Sequence, residues 1–156
     1  MTRYASRTTV SADNSRVEIE RVLIRYGASA FGYMQDGGLT VIAFRMRGRH
    51  IKFLLPLPDP SERRFTHNSR GKRTPDLAQR EWEQACRARW RALLLIVKAK
   101  LEAIESGVAS FENEFLPQTL LPSGQTVGEW LGPQVELAYE LAVMPLRLEL
   151  PERSSQ

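Results

Sequence analysis

The sequence predicts an α+β domain with the element order α-β-β-β-α-α-α: an N-terminal helix, a three-stranded antiparallel meander, a long amphipathic helix packed on the sheet, and short C-terminal helices. Two observations carry this. Three runs of aromatic, β-branched and alternating residues between Ala28 and Leu55 are separated by Asp36-Gly37-Gly38 and Arg47-Gly48-Arg49, and Gly-containing pairs of this kind make tight hairpin turns. An uninterrupted stretch with a 3.6-residue apolar period then follows Thr74-Pro75-Asp76, where Thr is suited to the N-cap and Pro to the first helical position.

Residues 1–10 read as a flexible arm, with an edge strand at Thr8-Thr9-Val10. Ser15 and Glu18 have capping-box spacing, which places the first helix start there, and Gly27 is placed to end it. The strands are expected over Ala28–Gln35, Leu39–Arg47 and His50–Leu55, the last closed by Pro56, Pro58 and Pro60, because proline cannot donate to a ladder. Residues 56–74 form a basic loop that is long for a compact domain, and such length marks a mobile or functional segment. The long helix is expected to run to about Ser106, with Gly107 beyond it. Phe111–Leu116 is expected to be helical. Thr126 with Glu129 forms a second capping box, opening a helix that continues past Pro133 to Ala142. Residues 11–144 make one domain, and 145–156 a frayed tail.

The 156 residues suit one domain, and 42% hydrophobic with 26% charged residues is the composition of a chain that folds. The longest apolar run, Ala92–Val97, is far shorter than the roughly 18 residues of a membrane span. Cys86 is the one cysteine, so no internal disulfide is available. With no apolar leader at the N-terminus, a cytoplasmic location in a bacterial host cell is expected, and no membrane partner.

Charge is unevenly spread. Residues 63–100 hold eleven Lys/Arg against three Asp/Glu, whereas residues 101–156 hold two against nine. A local field of this kind attracts a polyanion where the modest net charge of +4 does not. On the long helix, Arg80, Arg87, Arg91 and Lys98 are spaced seven, four and seven, within about 20° of one direction around the axis. Trp82, Cys86, Trp90, Leu93, Val97, Leu101 and Ile104 form an apolar stripe roughly 100° away. A straight row of guanidinium groups matches the linear charge of a phosphate backbone, and arginine can bind phosphate bidentately. The preceding loop adds Arg63, Arg64, Arg70, Lys72 and Arg73. On the meander, Arg45 and Arg47 are expected to share a strand face, and Phe31 and Tyr33 another. On a solvent face those rings would be a stacking platform for bases, and on an inner face they would be core. A charged stripe opposite an apolar one is also how an ordinary surface helix looks. Its cations have ready partners in Glu102, Glu105, Glu112, Glu114, Glu136 and Glu140.

No catalytic centre is apparent. His50 and His67 have no metal-ligand spacing to another His or Cys, and no phosphate loop, dinucleotide turn or nucleophile elbow is present. Cys86 lies on the apolar helix face and reads as buried and inert. Glu102, Glu105, Glu112 and Glu114 read as a solvated acidic face rather than a two-metal site. No cofactor, metal or catalytic residue is therefore expected. Because Ala92–Val97 is apolar all round, it is expected to be wrapped by the C-terminal helices, with Trp130 and Leu131 as candidates, or by a second subunit in a homodimer.

Four stretches, SRVEIERVLIRYG (15–27), IKFLLPLP (51–58), WEQACRARWRALLLIVKAKLEAIE (82–105) and FENEFLPQTLLPSGQTVGEWL (111–131), resemble a family of small uncharacterised proteins encoded in bacteriophages, prophages and bacterial mobile elements. The resemblance implies a phage or mobile-element context and no established activity. The order α-β-β-β-α is also similar to that of double-stranded-RNA-binding domains, and Gly71-Lys72-Arg73 is placed like the basic helix start of that fold. Two functions are expected from these features: a non-enzymatic nucleic-acid-binding accessory protein contacting DNA or RNA phosphates, or a protein-interaction module that inhibits or modulates a host factor.

Overall fold

The computed structural model describes the backbone of residues 5–142 and the side chains of residues 14–142. The tail expected over 145–156 lies outside these residues, as do residues 1–4 of the expected arm. The fold is α+β: helix α1 (Ala5–Arg25), strands β1 (Ala30–Asp36), β2 (Leu39–Met46) and β3 (Arg49–Pro56), a one-turn helix α2 (Arg63–Thr66), a small hairpin β4 (His67–Asn68) and β5 (Gly71–Lys72), the long helix α3 (Pro75–Glu105), α4 (Phe111–Phe115) with a 3₁₀ turn at Leu116–Gln118, and α5 (Val127–Leu141).

Helix α1 begins at Ala5, so Thr8-Thr9-Val10 belong to the helix and not to an edge strand, and Ser15 is an interior position rather than an N-cap. No Gly or Pro interrupts Ala5–Arg25, and a three-residue Ser–Glu spacing also fits the surface of a continuous helix. The helix ends as expected at Gly27, whose φ of 96° favours glycine.

β1, β2 and β3 form an antiparallel meander in that order, with Phe31 opposite Phe44 and Ile42 opposite Phe53. Both hairpins turn on two consecutive residues with positive φ, Gly37-Gly38 and Arg47-Gly48, the backbone that matches the twist of antiparallel strands. Side chains alternate across the sheet. Ile42, Phe44 and Met46 on β2 and Ile51, Phe53 and Leu55 on β3 are buried on the inner face. There they meet Ile19, Val22 and Leu23 of α1, Trp90, Leu93, Leu94, Val97 and Leu101 of α3, and Phe111 and Phe115 of α4 in one core. Phe115 stands edge-on to both Phe44 and Phe53. α1 and α3 therefore lie side by side on one face of the sheet.

Phe31 and Tyr33 lie on this inner face. Phe31 packs on the core, and the Tyr33 ring sits 5.9 Å from that of Trp90 with the Arg16 guanidinium 5.4 Å from its centre. They are core and core rim rather than a stacking platform.

α3 starts as the sequence predicts, with Thr74 Oγ1 accepting from the Leu77 N–H and Pro75 in the first turn. Of the C-terminal helices expected to wrap α3, α4 packs on it and α5 does not. α1, the sheet and α4 cover Leu93, Leu94 and Val97, while Leu95, Ile96, Trp130 and Leu131 stay exposed. The reason lies in where α5 is anchored. Segment 119–126 runs alongside β3, with the Leu120 N–H bonded to the His50 carbonyl, and the Val127 N–H is bonded to the Thr119 carbonyl, so α5 starts at the β3 edge of the sheet, opposite β1.

Candidate nucleic-acid interface

The basic ridge of α3 is exposed along its first half and neutralised further on. Arg80 and Arg91 are exposed and form no ion pair among the described residues. Arg87 is exposed, with Glu83 of the same helix 3.9 Å away, at the limit of an ion pair. Lys98 is different: its Nζ lies 2.6 Å from Glu18 Oε1 on α1. The same helical direction then continues into Glu105. The ridge thus runs from exposed cations at its N-terminal end to acid at its C-terminal end.

α1 forms the other wall. Asn14, Ser15 and Glu18 of α1 and Gln84, Arg87, Ala88 and Arg91 of α3 line a groove of about 520 Å³. Two guanidinium groups and neutral amide and hydroxyl groups share it with one carboxylate. Such a set can donate several hydrogen bonds to an anion at its lip.

Of the six acids expected as partners of the ridge, only Glu114 forms an ion pair among the described residues, and its partner is not on the ridge. Glu114 meets Lys100 at 3.4 Å, and Glu129 meets Lys52 at 3.2 Å. Lys100 also donates to the Glu114 carbonyl at 2.6 Å, with its ammonium 5.8 Å from the centre of the Phe115 ring. It is an internal tie between α3 and α4.

The 56–74 loop is built rather than loose. Trp82 Nε1 donates to the Pro58 carbonyl at 2.7 Å. Asp59 Oδ1 accepts from Ser61, and those bonds hold its carboxyl below the usual range. Phe65 is buried. These contacts present the cations unequally. Arg73 Nη1 donates to the carbonyls of Arg64 and Phe65 at 2.6 and 3.0 Å, so it fastens α2 to the strand that leads into α3. Arg64 is paired with Glu62 at 2.7 Å and lies over the Phe65 ring. Arg63, Arg70 and Lys72 are exposed and form no ion pair among the described residues.

The two meander arginines do not share a strand face. β2 ends at Met46, and Arg47 occupies the turn with a φ of 49° and its guanidinium 5.4 Å from the centre of the Phe111 ring. Arg45 points to the open face of the sheet, where its Nε donates to Ser29 Oγ at 3.1 Å. The positive φ at both turn positions takes Arg47 out of the strand's alternation, and neither arginine extends the α3 ridge.

Cys86 is buried against the core side of α3, and burial pushes its thiol up to about 11. A thiol with that value is almost wholly protonated at neutral pH and is a poor nucleophile. Among the described residues no group of three His, Cys, Asp or Glu is arranged to hold a metal ion, and no helix is long and apolar enough to cross a membrane.

No family model, curated protein or solved structure matches the chain.

Proposed function

We propose that this chain binds the phosphate backbone of nucleic acid without sequence preference and without catalysing a reaction. In this reading it is an accessory protein of a phage or mobile element, acting in the cytoplasm of a bacterial host. Arg80, Arg87 and Arg91 make the primary contacts, and Arg63, Arg70 and Lys72 extend the surface beyond the start of α3. The observation that carries the reading is the exposure of Arg80 and Arg91, neither of which forms an ion pair among the described residues. Exposed arginines aligned along one rigid helix are preorganised for an external anion. From Arg80 to Arg91 the ridge spans about 16 Å of helix, roughly half a turn of duplex.

The test is a fluorescence-anisotropy titration of a labelled oligonucleotide at two salt concentrations, comparing the native chain with Arg87→Glu/Arg91→Glu. Binding is expected to weaken steeply with salt, because counterions are released from each neutralised phosphate. It is expected to vanish in the double variant while the thermal midpoint is kept. Equal binding by both chains defeats the reading. Single-stranded and duplex forms of DNA and RNA in the same titration identify the preferred ligand.

A further inference from the structure

α5 is an amphipathic helix whose apolar side is largely exposed. Around its axis Trp130, Leu137 and Leu141 point within about 20° of one direction, and Gln134, Val127, Ala138 and Leu131 follow over about 100° to one side. Glu129, Glu136 and Glu140 point within about 20° of a second direction roughly 100° away. Between Val127 and Ala142 there is no Lys or Arg. No residue of α5 is buried, and Trp130, Leu137 and Leu141 are 52%, 53% and 61% exposed. An isolated helix of this length is marginal in water and takes its stability from burying one face.

The sheet has a matching vacancy. Its inner face holds the core, and its outer face carries the alternate side chains. From the strand register, Met34, Val41 and Leu54 form one row across this outer face, with Met34 60% and Leu54 41% exposed. The next rows are Gly32, Ala43 and Lys52, then Ala30, Arg45 and His50. The face therefore passes from apolar, over a floor of small residues that lets a helix approach, to basic. Its one carboxylate is Asp36 at the apolar end. An apolar helix edged with three glutamates and no cation is the chemical complement of that face. The ion pair between Glu129 and Lys52 already joins the first turn of α5 to the outer basic row.

The base of the chain's own α5 is fixed beside β3, where Glu129 reaches Lys52. The capping box of Thr126 and Glu129 fixes the first turn, and the Val127 N–H is bonded to the Thr119 carbonyl. Gly128 sits so close to Pro117 that a Cβ there would meet its carbonyl oxygen at 2.9 Å. With its start set by these contacts, α5 leaves the body of the molecule with its apolar side uncovered.

We propose that α5 of one copy covers the open sheet face of a second copy, and the reverse, in a dimer with two-fold symmetry. Each copy contributes the same two surfaces, which is the requirement for a closed isologous pair. The proposal stands independently of the nucleic-acid reading, since neither surface includes the α3 ridge.

The experiment is light scattering of the full chain across a concentration series, alongside Leu137→Glu on α5, Leu54→Glu on the sheet and Leu95→Glu on the exposed side of α3. All three positions are exposed in the single copy, so the folded state is expected to survive, as checked by circular dichroism. The native chain and Leu95→Glu are expected to show twice the 17.8 kDa chain mass, and Leu137→Glu and Leu54→Glu the single mass. A native chain that stays monomeric throughout overturns the proposal, including the case where α5 folds back on its own sheet. A dimer lost in Leu137→Glu but kept in Leu54→Glu overturns it in favour of α5 pairing with α5. A dimer that survives both substitutions overturns it as well.

Discussion

Lys98 Nζ lies 2.6 Å from Glu18 Oε1, and this contact between α3 and α1 removes one cation from the basic ridge. Both side chains remain about half exposed, so the pair contributes at most about 1 kcal/mol to stability. Its larger consequence is electrostatic. Glu18→Gln releases Lys98 and deletes a negative charge from the groove that Arg87 and Arg91 line. Tighter nucleic-acid binding is expected, with the slope of log affinity against log salt steeper by about 0.9, the increment for one extra phosphate contact on a duplex. An anisotropy titration over a salt series measures it.

Arg73 and Lys72 are neighbours with opposite expectations. Arg73→Ala leaves the carbonyls of Arg64 and Phe65 without their charged donor, and stability is expected to fall by about 1.5–3 kcal/mol, the range for a hydrogen bond to a charged group. Lys72 is exposed and forms no ion pair among the described residues, so Lys72→Ala is expected to leave stability unchanged and to weaken nucleic-acid binding modestly. Urea unfolding of the two variants separates a structural cation from a surface one.

The start of α5 is sensitive to acid. The Thr126 backbone N–H donates to Glu129 Oε2 at 2.7 Å, and that bond, helped by Lys52, holds the carboxyl below its ordinary value. A depressed folded-state pKa stabilises the fold fully above the unfolded value near 4.3 and loses that contribution as pH falls below it. The first turn of α5 is therefore expected to loosen below about pH 4, with Trp130 fluorescence as the reporter. Glu129→Gln is expected to remove the pH dependence, and Thr126→Ala to cost about 1 kcal/mol at neutral pH through loss of the cap.

Cys86 is expected to resist thiol reagents while the chain is folded. Its thiol is buried and pushed up to about 11, so the thiolate is scarce at pH 8. Ellman's reagent is expected to titrate no thiol in buffer and one after unfolding in guanidinium. Rapid reaction in buffer would show that α3 separates readily from the core.

The local signals were legible from sequence and the long-range ones were not. Thr74-Pro75 and the Thr126–Glu129 box each satisfy backbone groups within three residues, so their spacing alone located the starts of α3 and α5. The two hairpins were equally plain from their Gly-containing turns. Ser15 and Glu18 imitated such a signal inside a continuous helix, which hid the true start of α1. The ridge of Arg80, Arg87 and Arg91 followed from helical geometry. The partner of Lys98 did not, because Glu18 is eighty positions away and meets it only once α1 lies against α3. Arg73 illustrates the same limit: its sequence neighbourhood says basic surface, and its donors are turned inward to two carbonyls. The bare side of α5 was hidden because it depends on which elements reach α3 first.

The most direct measurement of the phosphate-binding account is the salt dependence of affinity in the native chain and in Arg80→Gln/Arg91→Gln, which removes the two ridge arginines that form no ion pair among the described residues. The account predicts a slope of log affinity against log salt shallower by about 1.8 for a duplex ligand, two contacts at about 0.9 each, with unfolding free energy unchanged. Identical slopes in the two chains would contradict it.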